Sequence, residues 1–351
     1  MKSPLRVDAR RLTEFVARLF VAGGLPERDA REVAGVFVSQ EMRGNRTHGL
    51  RRISGNLQSV VAAQMNPRPK RKILRNSGGT VVIDGDHGIG MLGAMAAMDQ
   101  AIRKARRHGI GIGVVINSNH FLAAAPYCVR AAEVGMIGLA FSNTYASMSY
   151  PGTHKRVIGN GPHGFAAPTA AGYPVVYDAA LSTSYGKLVQ WLKSGKSIPL
   201  QFYGLDSKGR QTQDPAKVVN GGAPVPIGEH KGAGLVLLIE VLTGVLGGGA
   251  FLSQIQSPDK RKSKWNAESQ CCIAIDIAHF MSLAAFKRRM AALIADLKRS
   301  PLAPGAAAIT VPGERAGRCL RESKQRGVIV ETDIAEELRT LGAQRGVAVP
   351  F

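Results

Sequence analysis

The glycine-rich segment Gly88-Ile-Gly90-Met-Leu-Gly93 constrains the fold more than any other feature of this sequence, because it separates a predicted strand from a predicted helix. Residues 80–84 are mostly β-branched and apolar, which is typical of a strand, whereas residues 94–107 repeat apolar side chains at helical spacing. Residues 111–116 form a second apolar run rich in β-branched residues. The order strand, helix, strand predicts an α/β unit.

The same glycines match the G-x-G-x-x-G spacing of a dinucleotide-binding turn. That turn also requires an acidic residue about 20 positions further on, where the second strand ends and the ribose hydroxyls bind. Here the second strand runs into Asn117-Ser-Asn-His120, which contains no Asp or Glu. We therefore interpret the glycines as sites of close helix–strand packing rather than as a cofactor fingerprint.

The rest of the chain divides into a helical beginning and an α/β remainder. Two predicted N-terminal helices are separated by Gly23-Gly24-Leu25-Pro26, and a third, at residues 49–64, ends at the proline-containing break of residues 66–69. The later predictions are strands at 136–141, 175–177 and 273–277, a helix at 286–297, a Pro- and Ala-rich linker at 301–308, a strand at 328–330 and a helix from Asp333.

The net charge of +21, from 46 Lys and Arg against 25 Asp and Glu, raises the hypothesis of a nucleic-acid-binding protein. The basic clusters lie far apart along the chain and have no interleaved aromatic residues, which make up only 6% of the sequence. Stacking platforms for bases need such aromatics. We therefore do not expect a nucleic-acid partner, although a basic nucleic-acid-binding protein on a retired enzyme scaffold stays as an alternative of another class.

The cysteines and the apolar stretches argue against a metal site and a membrane segment. Cys128, Cys271, Cys272 and Cys319 show no C-x-x-C spacing, so we expect no zinc site or disulfide framework. The N-terminus lacks the continuous apolar core of a signal peptide, which predicts a cytoplasmic protein. Residues 232–251 approach the ~20 residues that cross a bilayer. Glu240 and several glycines interrupt them, which favours a buried helix.

Three segments contain side chains suited to catalysis or ligand binding. Thr47-His48-Gly49 is followed by Arg51 and Arg52, so a proton donor lies near guanidinium groups that could hold a carboxylate. A helix-capping threonine beside a surface histidine is the alternative interpretation. His120 follows a predicted strand and either serves a site or caps the next helix.

Asp178 ends another predicted strand, where it could orient a histidine, hold a ribose or cap a turn. His230-Lys231 precedes the apolar stretch of residues 232–251. A helix N-terminus with an added lysine charge would receive a pyrophosphate, although a basic residue flanking a helix is usually only solvated.

Several ordered motifs together resemble the malate/L-lactate dehydrogenase family, which also includes ureidoglycolate and sulfolactate dehydrogenases, 2,3-diketogulonate reductase and Δ1-piperideine-2-carboxylate reductases. The likeness runs nearly end to end. The motifs are Arg43-Gly-Asn-Arg-Thr-His-Gly49 with Arg52, Asp84-Gly-Asp-His-Gly-Ile-Gly90, Asn117-Ser-Asn-His-Phe121, Met136-Ile-Gly138, Asp178 with Gly186-Lys187, Thr212-Gln-Asp-Pro215, Gly228-Glu-His-Lys-Gly-Ala-Gly234, Leu302-Ala-Pro-Gly305 and Val311-Pro-Gly-Glu314.

The resemblance implies an α+β fold with a non-Rossmann, mixed-sheet cofactor domain and a helical domain, assembled as a homodimer. The expected limits are 1–75 for the helical domain, joined by 300–351, and 76–299 for the α/β domain that binds cofactor and substrate. It implies an NAD- or NADP-dependent enzyme that moves hydride between nicotinamide and C2 of a 2-hydroxy or 2-oxo acid. A reductase of cyclic imino acids is the nearer alternative, and no metal is required.

The resemblance also assigns roles residue by residue. His48 is the expected proton donor, tuned by Thr47 and Asp178, and Arg52 grips the substrate carboxylate. His120 is either the acid/base or a cofactor contact, while Thr144 and Asn160 fall where relatives touch substrate. The expected cofactor contacts are His120, Phe121, Leu122, Ala123, Ala124, Asp178, Ala179, Ala180, His230, Lys231, Pro312, Gly313, Glu314 and Arg315.

Some positions depart from the family pattern. The usual G-T-N-P appears as Gly159-Asn160-Gly161-Pro162, and the usual D-M-A-T-S appears as Asp178-Ala-Ala-Leu-Ser182. Pro126 lies early in the helix after His120, which is tolerable only in the first turn. These changes leave His48 in place but alter the expected pocket, so the substrate is less defined than the reaction class.

Overall fold

The computed structural model describes residues 4–182, 185–199, 202–257 and 265–351. The strands, in chain order, are β1 (Leu5–Val7), β2 (Lys72–Ser77), β3 (Thr80–Asp84), β4 (Ile110–Ser118), β5 (Met136–Ser142), β6 (His163–Ala167), β7 (Val175–Ala179), β8 (Gly204–Leu205), β9 (Gln211–Thr212), β10 (Ala223–Pro224), β11 (Glu268–Asp276) and β12 (Val328–Val330).

Helices lie between most of these strands. They are α1 (Ala9–Ala22), α2 (Glu27–Met42), α3 (Ile53–Val61), α4 (Gly90–His108), α5 (Ala125–Glu133), α6 (Tyr185–Lys193), α7 (Pro215–Val219), α8 (His230–Glu240), α9 (Leu283–Arg299), α10 (Glu314–Arg326) and α11 (Thr332–Arg345).

A seven-stranded mixed sheet in the order β2-β3-β4-β11-β5-β6-β7 forms the centre of the molecule. β3 and β4 are parallel, whereas β11 is antiparallel to both β4 and β5, and β6 is antiparallel to β5 and β7. The carboxyl ends of β3, β4, β5 and β7 therefore meet at one edge of the sheet. We call this edge, with the loops that leave it, the site edge.

A second core lies among the N-terminal helices. Fully buried side chains of α1 and α2, among them Phe20 and Phe37, pack with residues of α3 and α11. β1 pairs with β12, so the C-terminal residues return to the N-terminal helices. The Phe20 and Phe37 rings stack with centroids 5.7 Å apart, which centres this core.

The strands predicted at 80–84, 111–116, 136–141, 175–177 and 273–277 are confirmed as β3, β4, β5, β7 and β11, and the helices predicted at 94–107 and 286–297 lie within α4 and α9. The short strand at 328–330 and the helix from Asp333 are confirmed within one residue as β12 and α11. Pro126 lies in the first turn of α5, as a proline there requires. The predicted third helix is shorter, because a 3-10 turn, Leu50–Arg52, precedes α3.

The glycine-rich segment packs closely, as its sequence indicates. A Cβ atom on Gly90 would lie 2.0 Å from the Asn119 carbonyl oxygen, and one on Gly93 would lie 2.9 Å from the Ser118 hydroxyl. The first turn of α4 thus presses against the end of β4. Side chains at these positions would push the helix off the strand.

The prediction of a buried helix at residues 232–251 is wrong for one side of that segment. α8 ends at Glu240 and continues as a π-helical turn, Val241–Val245. Val236 and Ile239 are buried, but the opposite side stays half-exposed because no described element covers it; Leu235, Leu237, Leu238, Val241, Val245 and Leu246 are 44–58% exposed. In the described ranges, no helix combines the length and apolarity needed to span a membrane.

Replacing Phe20 by alanine should lower the free energy of unfolding by about 3–5 kcal/mol, because it leaves a cavity beside Phe37 in the helical core. The matched control is Val21→Ala, one residue away and 42% exposed, which should change stability by less than about 1 kcal/mol. Urea unfolding followed by circular dichroism measures both. Equal losses in the two variants would contradict this location of the core.

Candidate functional site

The predicted site residues of the sheet collect at the site edge. His120 follows β4, Thr144 follows β5, and Asp178 lies at the end of β7. α4 and α5 begin at the same edge, after β3 and β4. Strand ends bring these polar groups together although they are far apart in sequence.

His48 reaches this edge from the helical core on a loop of two 3-10 turns, Arg46–His48 and Leu50–Arg52. The Thr47 hydroxyl donates to Asn45 Oδ1 at 3.2 Å, so its oxygen accepts from His48 Nδ1 at 3.0 Å. This pattern favours the tautomer with the imidazole proton on Nδ1 and a free lone pair on Nε2. Asn45 is a site residue that sequence reasoning missed, although it lies within the Arg43–Gly49 motif.

His48 is neutral at physiological pH. Burial, and then the positive charge of Arg52, lower the pKa of His48 from 6.5 to about 4. A neutral imidazole with a free Nε2 can take up a proton from a ligand.

His120 has the opposite tautomer. The Leu122 N–H donates to His120 Nδ1 at 3.1 Å, so the ring proton of the neutral imidazole lies on Nε2. Burial, the charge of Arg52 and that of His48 lower the pKa of His120 to about 3. Because both histidines respond to Arg52, the three side chains share one electrostatic environment.

Arg52 is the arginine of this loop that is available to a ligand. Arg46 pairs with Glu331 at 2.5 Å and Arg51 pairs with Asp333 at 2.8 Å. Among the residues the structure describes, the exposed Arg52 guanidinium has no ion pair. It therefore offers an uncommitted planar donor beside two neutral histidines.

Asp178 caps the helix after His120. Its carboxylate accepts the N–H groups of Ala124 at 3.2 Å and Ala125 at 3.1 Å, the start of α5. Burial raises the pKa of Asp178, while these hydrogen bonds and the charge of His163 oppose the rise. Within the described ranges it makes no hydrogen bond to His48, and it caps α5, earlier in the chain, rather than the turn that follows β7.

Thr144 and Asn160 are hydrogen-bonded to each other. The Thr144 hydroxyl donates to Asn160 Oδ1 at 2.9 Å and accepts the Asn160 N–H at 3.1 Å. The Asn160 carbonyl accepts the Leu181 N–H at 2.8 Å, and the Leu181 carbonyl accepts the Ile227 N–H at 2.7 Å. These hydrogen bonds connect Thr144 and Asn160 to Leu181, which follows the predicted cofactor residues 178–180. They also connect the pair to Ile227, in the segment that leads into α8.

His230 and Lys231 form the exposed first turn of α8, preceded by Gly228 and Glu229 with positive φ of 63° and 54°. Lys231 has no ion pair within the described residues, and no side chain caps this helix. Free backbone donors and an unpaired lysine are a donor set that suits a diphosphate. This part of the structure therefore fits the diphosphate of a nucleotide.

The C-terminal motif lies between β7 and the His48 loop. The Pro312 carbonyl accepts the Val176 N–H at 3.2 Å, and a Cβ atom on Gly313 (φ 96°) would lie 2.7 Å from the Pro174 oxygen. Glu314 pairs with Lys298, and Arg315 donates to the Gly44 carbonyl at 3.3 Å. The structure thus brings residues 312–315 to the loop that carries His48.

The segment between β4 and α5 is less accessible than its sequence position indicates. Phe121, Leu122, Ala123 and Ala124 are all buried, and the Phe121 ring stacks on Tyr127 with centroids 5.2 Å apart. The Phe121 carbonyl accepts the Tyr127 hydroxyl at 2.5 Å. A ligand would therefore meet backbone here rather than the Phe121 ring.

Acidification should destabilise the protein between pH 6.5 and about 4. The pKa values of His48 and His120 in the folded state lie below their ordinary 6.5, so below that pH the unfolded chain binds protons that the folded chain does not. Urea unfolding at pH 7, 5.5 and 4.5 should give a falling free energy of unfolding. His48→Gln and His120→Gln should each make the fall shallower, and slopes equal to that of the wild type would contradict the burial of neutral imidazoles.

The chain is similar over most of its length to several dehydrogenases and reductases. The chain is 33% identical over 351 residues to malate dehydrogenase of Pyrococcus abyssi, covering 98% of this chain and 96% of that protein. It is 33% identical over 332 residues to L-sulfolactate dehydrogenase of Methanocaldococcus jannaschii, covering 93% of each. Relatives at 28% and 26% identity include a Δ1-pyrroline-2-carboxylate/Δ1-piperideine-2-carboxylate reductase and a 2,3-diketo-L-gulonate reductase.

The fold has a counterpart among solved structures. Malate dehydrogenase from Entamoeba histolytica superposes with a TM-score of 0.92 at 26% identity, covering 99% of this chain and 100% of that one. The family model described as malate/L-lactate dehydrogenase matches residues 7–339. These residues include the His48 loop, the whole mixed sheet and α8. The chain belongs to the malate/L-lactate dehydrogenase family.

Proposed function

We propose that this protein is an NAD(P)-dependent oxidoreductase that transfers hydride between nicotinamide and C2 of a small 2-hydroxy or 2-oxo acid. The observation that carries the proposal is the uncommitted guanidinium of Arg52 beside two neutral, partly buried histidines. A carboxylate on Arg52 would place its neighbouring carbon near an imidazole that can exchange a proton. This is the chemistry that a 2-hydroxy acid requires.

His48 serves as the acid/base group. When bound, the nicotinamide cofactor supplies or accepts the hydride. For oxidation, the neutral imidazole takes the substrate hydroxyl proton on its free Nε2, while Thr47 and Asn45 hold the ring in that tautomer. For reduction, the protonated imidazole gives its proton to the new hydroxyl; burial is the larger cause of the lowered pKa of His48, and a carboxylate bound to Arg52 would offset the smaller one, the Arg52 charge.

His120 acts in another way. Since its Nδ1 is occupied by the Leu122 N–H, its neutral ring presents Nε2–H as a hydrogen-bond donor. Such a donor can polarise a carbonyl or hold the cofactor, but it has no free lone pair for a proton. The two tautomers therefore divide the roles, with His48 as the principal acid/base and His120 as a donor.

The cofactor would be held by groups from three elements. Lys231 and the first turn of α8 meet the diphosphate, and residues 178–180 and 312–315 lie along β7. Asp178 already satisfies the start of α5, whereas no side chain caps the start of α8. The mixed sheet order and the missing ribose carboxylate after β4 support a cofactor fold outside the Rossmann class.

The first experiment measures NADH and NADPH oxidation with oxaloacetate, pyruvate, sulfopyruvate, diketogulonate and Δ1-piperideine-2-carboxylate. We expect turnover with a 2-oxo acid. His48→Ala should lower kcat about 10²–10⁴-fold and leave cofactor affinity unchanged, since it removes the proton donor. Arg52→Ala should raise KM about 10–100-fold, because one charge-assisted carboxylate contact is lost.

The control is Arg28→Ala, an exposed arginine on α2, which should change neither constant. Turnover with the cyclic imine alone would reassign the substrate to a C=N bond while keeping the same roles. Unchanged kcat in His48→Ala would refute the assignment of the acid/base. Silence across the panel together with no binding of either nucleotide would refute the proposed function.

We further infer that two copies of the chain pair through the exposed side of α8. Leu237, Val241 and Val245 follow one another at four-residue spacing, and each is 44–54% exposed. A contiguous apolar surface of this kind is typical of a protein interface. In a chain of net charge +21, an uncharged helix side is the place where a second, equally charged copy can approach.

Leu238→Lys should convert the dimer to a monomer, because burying an ammonium in an apolar interface is unfavourable. Size-exclusion chromatography with light scattering measures the mass. The control is Val61→Lys, which adds the same charge to an exposed apolar position of α3. A monomeric wild type, or a dimer that survives the α8 substitution, would contradict this interface.

A further inference from the structure

Two arginines flank His48 and share one carboxylate from the far end of the chain. Arg46, two residues before His48, pairs with Glu331 Oε1 at 2.5 Å. Arg51, three residues after it, pairs with Glu331 Oε2 and also with Asp333 Oδ2 at 2.8 Å. Glu331 follows β12 directly and Asp333 lies in the first turn of α11, so both belong to the C-terminal segment.

A third carboxylate, from α2, binds the loop that carries His48. The side chain of Glu41, in α2, is only 5% exposed; its Oε2 accepts the Leu50 N–H at 2.9 Å and its Oε1 lies 3.8 Å from Arg46 Nε. A Cβ atom on Gly49 would lie 2.2 Å from the same carboxylate, so the backbone after His48 rests on it. Burial raises the pKa of Glu41, and the Leu50 hydrogen bond and Arg46 counteract that rise.

We propose that Glu331, with Asp333 and Glu41, is a positioning residue that fixes His48 and sorts the arginines of its loop. The inference rests on the proposed function for its effect on turnover, but its effect on the loop is independent of it. Glu331 binds Arg46 before His48 and Arg51 after it, so it holds the loop at both ends. Because it also occupies Arg46 and Arg51, Arg52 is left as the guanidinium that receives the substrate carboxylate.

Because these ion pairs are partly exposed, they can matter for the position of His48 without contributing much to the stability of the fold. The side chains of Arg46, Arg51 and Glu331 are 41%, 41% and 31% exposed. Ion pairs that exposed contribute little to the free energy of unfolding, because solvent screens them. Misplacing a proton donor by about 1 Å, in contrast, can cost roughly 10²-fold in rate. The loss of Glu331 should therefore affect turnover much more than folding.

The test compares Glu331→Ala with Glu322→Ala. Glu322 is the matched control because it pairs with Arg6 at 2.6 Å beside the same β1–β12 ladder without touching the His48 loop. In Glu331→Ala, hydrogen exchange of residues 43–53 should speed up at least tenfold. We expect kcat to fall about 10–100-fold while the cofactor Kd stays unchanged, since Glu331 pairs with Arg46 and Arg51 and not with a proposed cofactor residue. Glu322→Ala should match the wild type in all three measurements.

A second variant tests the sorting of the arginines. Freed Arg51 can compete with Arg52 for the substrate carboxylate, so Glu331→Ala should also raise KM. Adding Arg51→Ala to Glu331→Ala should restore part of KM but not kcat. A merely structural role would not produce this split.

The outcomes distinguish this proposal from the proposed function. Faster exchange in Glu331→Ala without any turnover in the wild type would keep the positioning role and refute the reaction. Unchanged exchange, or equal effects of Glu331→Ala and Glu322→Ala, would overturn the positioning role even if the wild type is active.

Discussion

The structure depends on α4, because this helix belongs to both hydrophobic cores. Met91 and Leu92, in its first turn, are buried among the N-terminal helices, whereas Ala97 and Ala101 are buried against the sheet. Gly113 of β4 permits that contact, since a Cβ atom there would lie 2.2 Å from the Ala97 carbonyl oxygen. A single rigid helix thus sets the distance between the core that carries His48 and the strand that delivers His120.

The sequence pattern predicted β3, β4, β5, β7 and β11 because each contains an apolar run, but it did not predict β2 or β6, of which β6 has no β-branched residue. The G-x-G-x-x-G segment without its acidic partner predicted close packing at Gly90. The pattern could not predict β1, three residues long, since its pairing with β12 joins residues more than 300 positions apart. The sequence pattern also could not predict that one side of α8 is exposed. A helix that is apolar all round gives the same pattern whether it is covered by its own chain or by another.

The site was predictable as a set of residues but not as a set of contacts. Local spacing placed His48 beside arginines, but it could not show which arginine is free, because Glu331 and Asp333 lie about 280 residues further on. The tautomers of the two histidines depend on Asn45 and on the Leu122 N–H, which are close in sequence but are aimed at the rings by a loop backbone that the residue pattern does not specify. The prediction that Asp178 tunes His48 remains a prediction, while its capping of α5 is visible.

The substrate range of such a protein could change through the hydrogen-bonded residues Thr144, Asn160, Leu181 and Ile227. The loop that carries His48 and Arg52 is held by the carboxylates of Glu41, Glu331 and Asp333, and its Leu50 is buried in the same core as the first turn of α4. Substitutions in this loop would therefore be poorly tolerated. Thr144 and Asn160 are joined through the Thr144 side chain, whereas Leu181 and Ile227 are tied through their backbones, and backbone ties survive when side chains are exchanged. Side chains at Leu181 and Ile227 can therefore be exchanged, and the residues near the proposed substrate pair altered, while the hydrogen bonds of this segment and the His48 loop stay as they are.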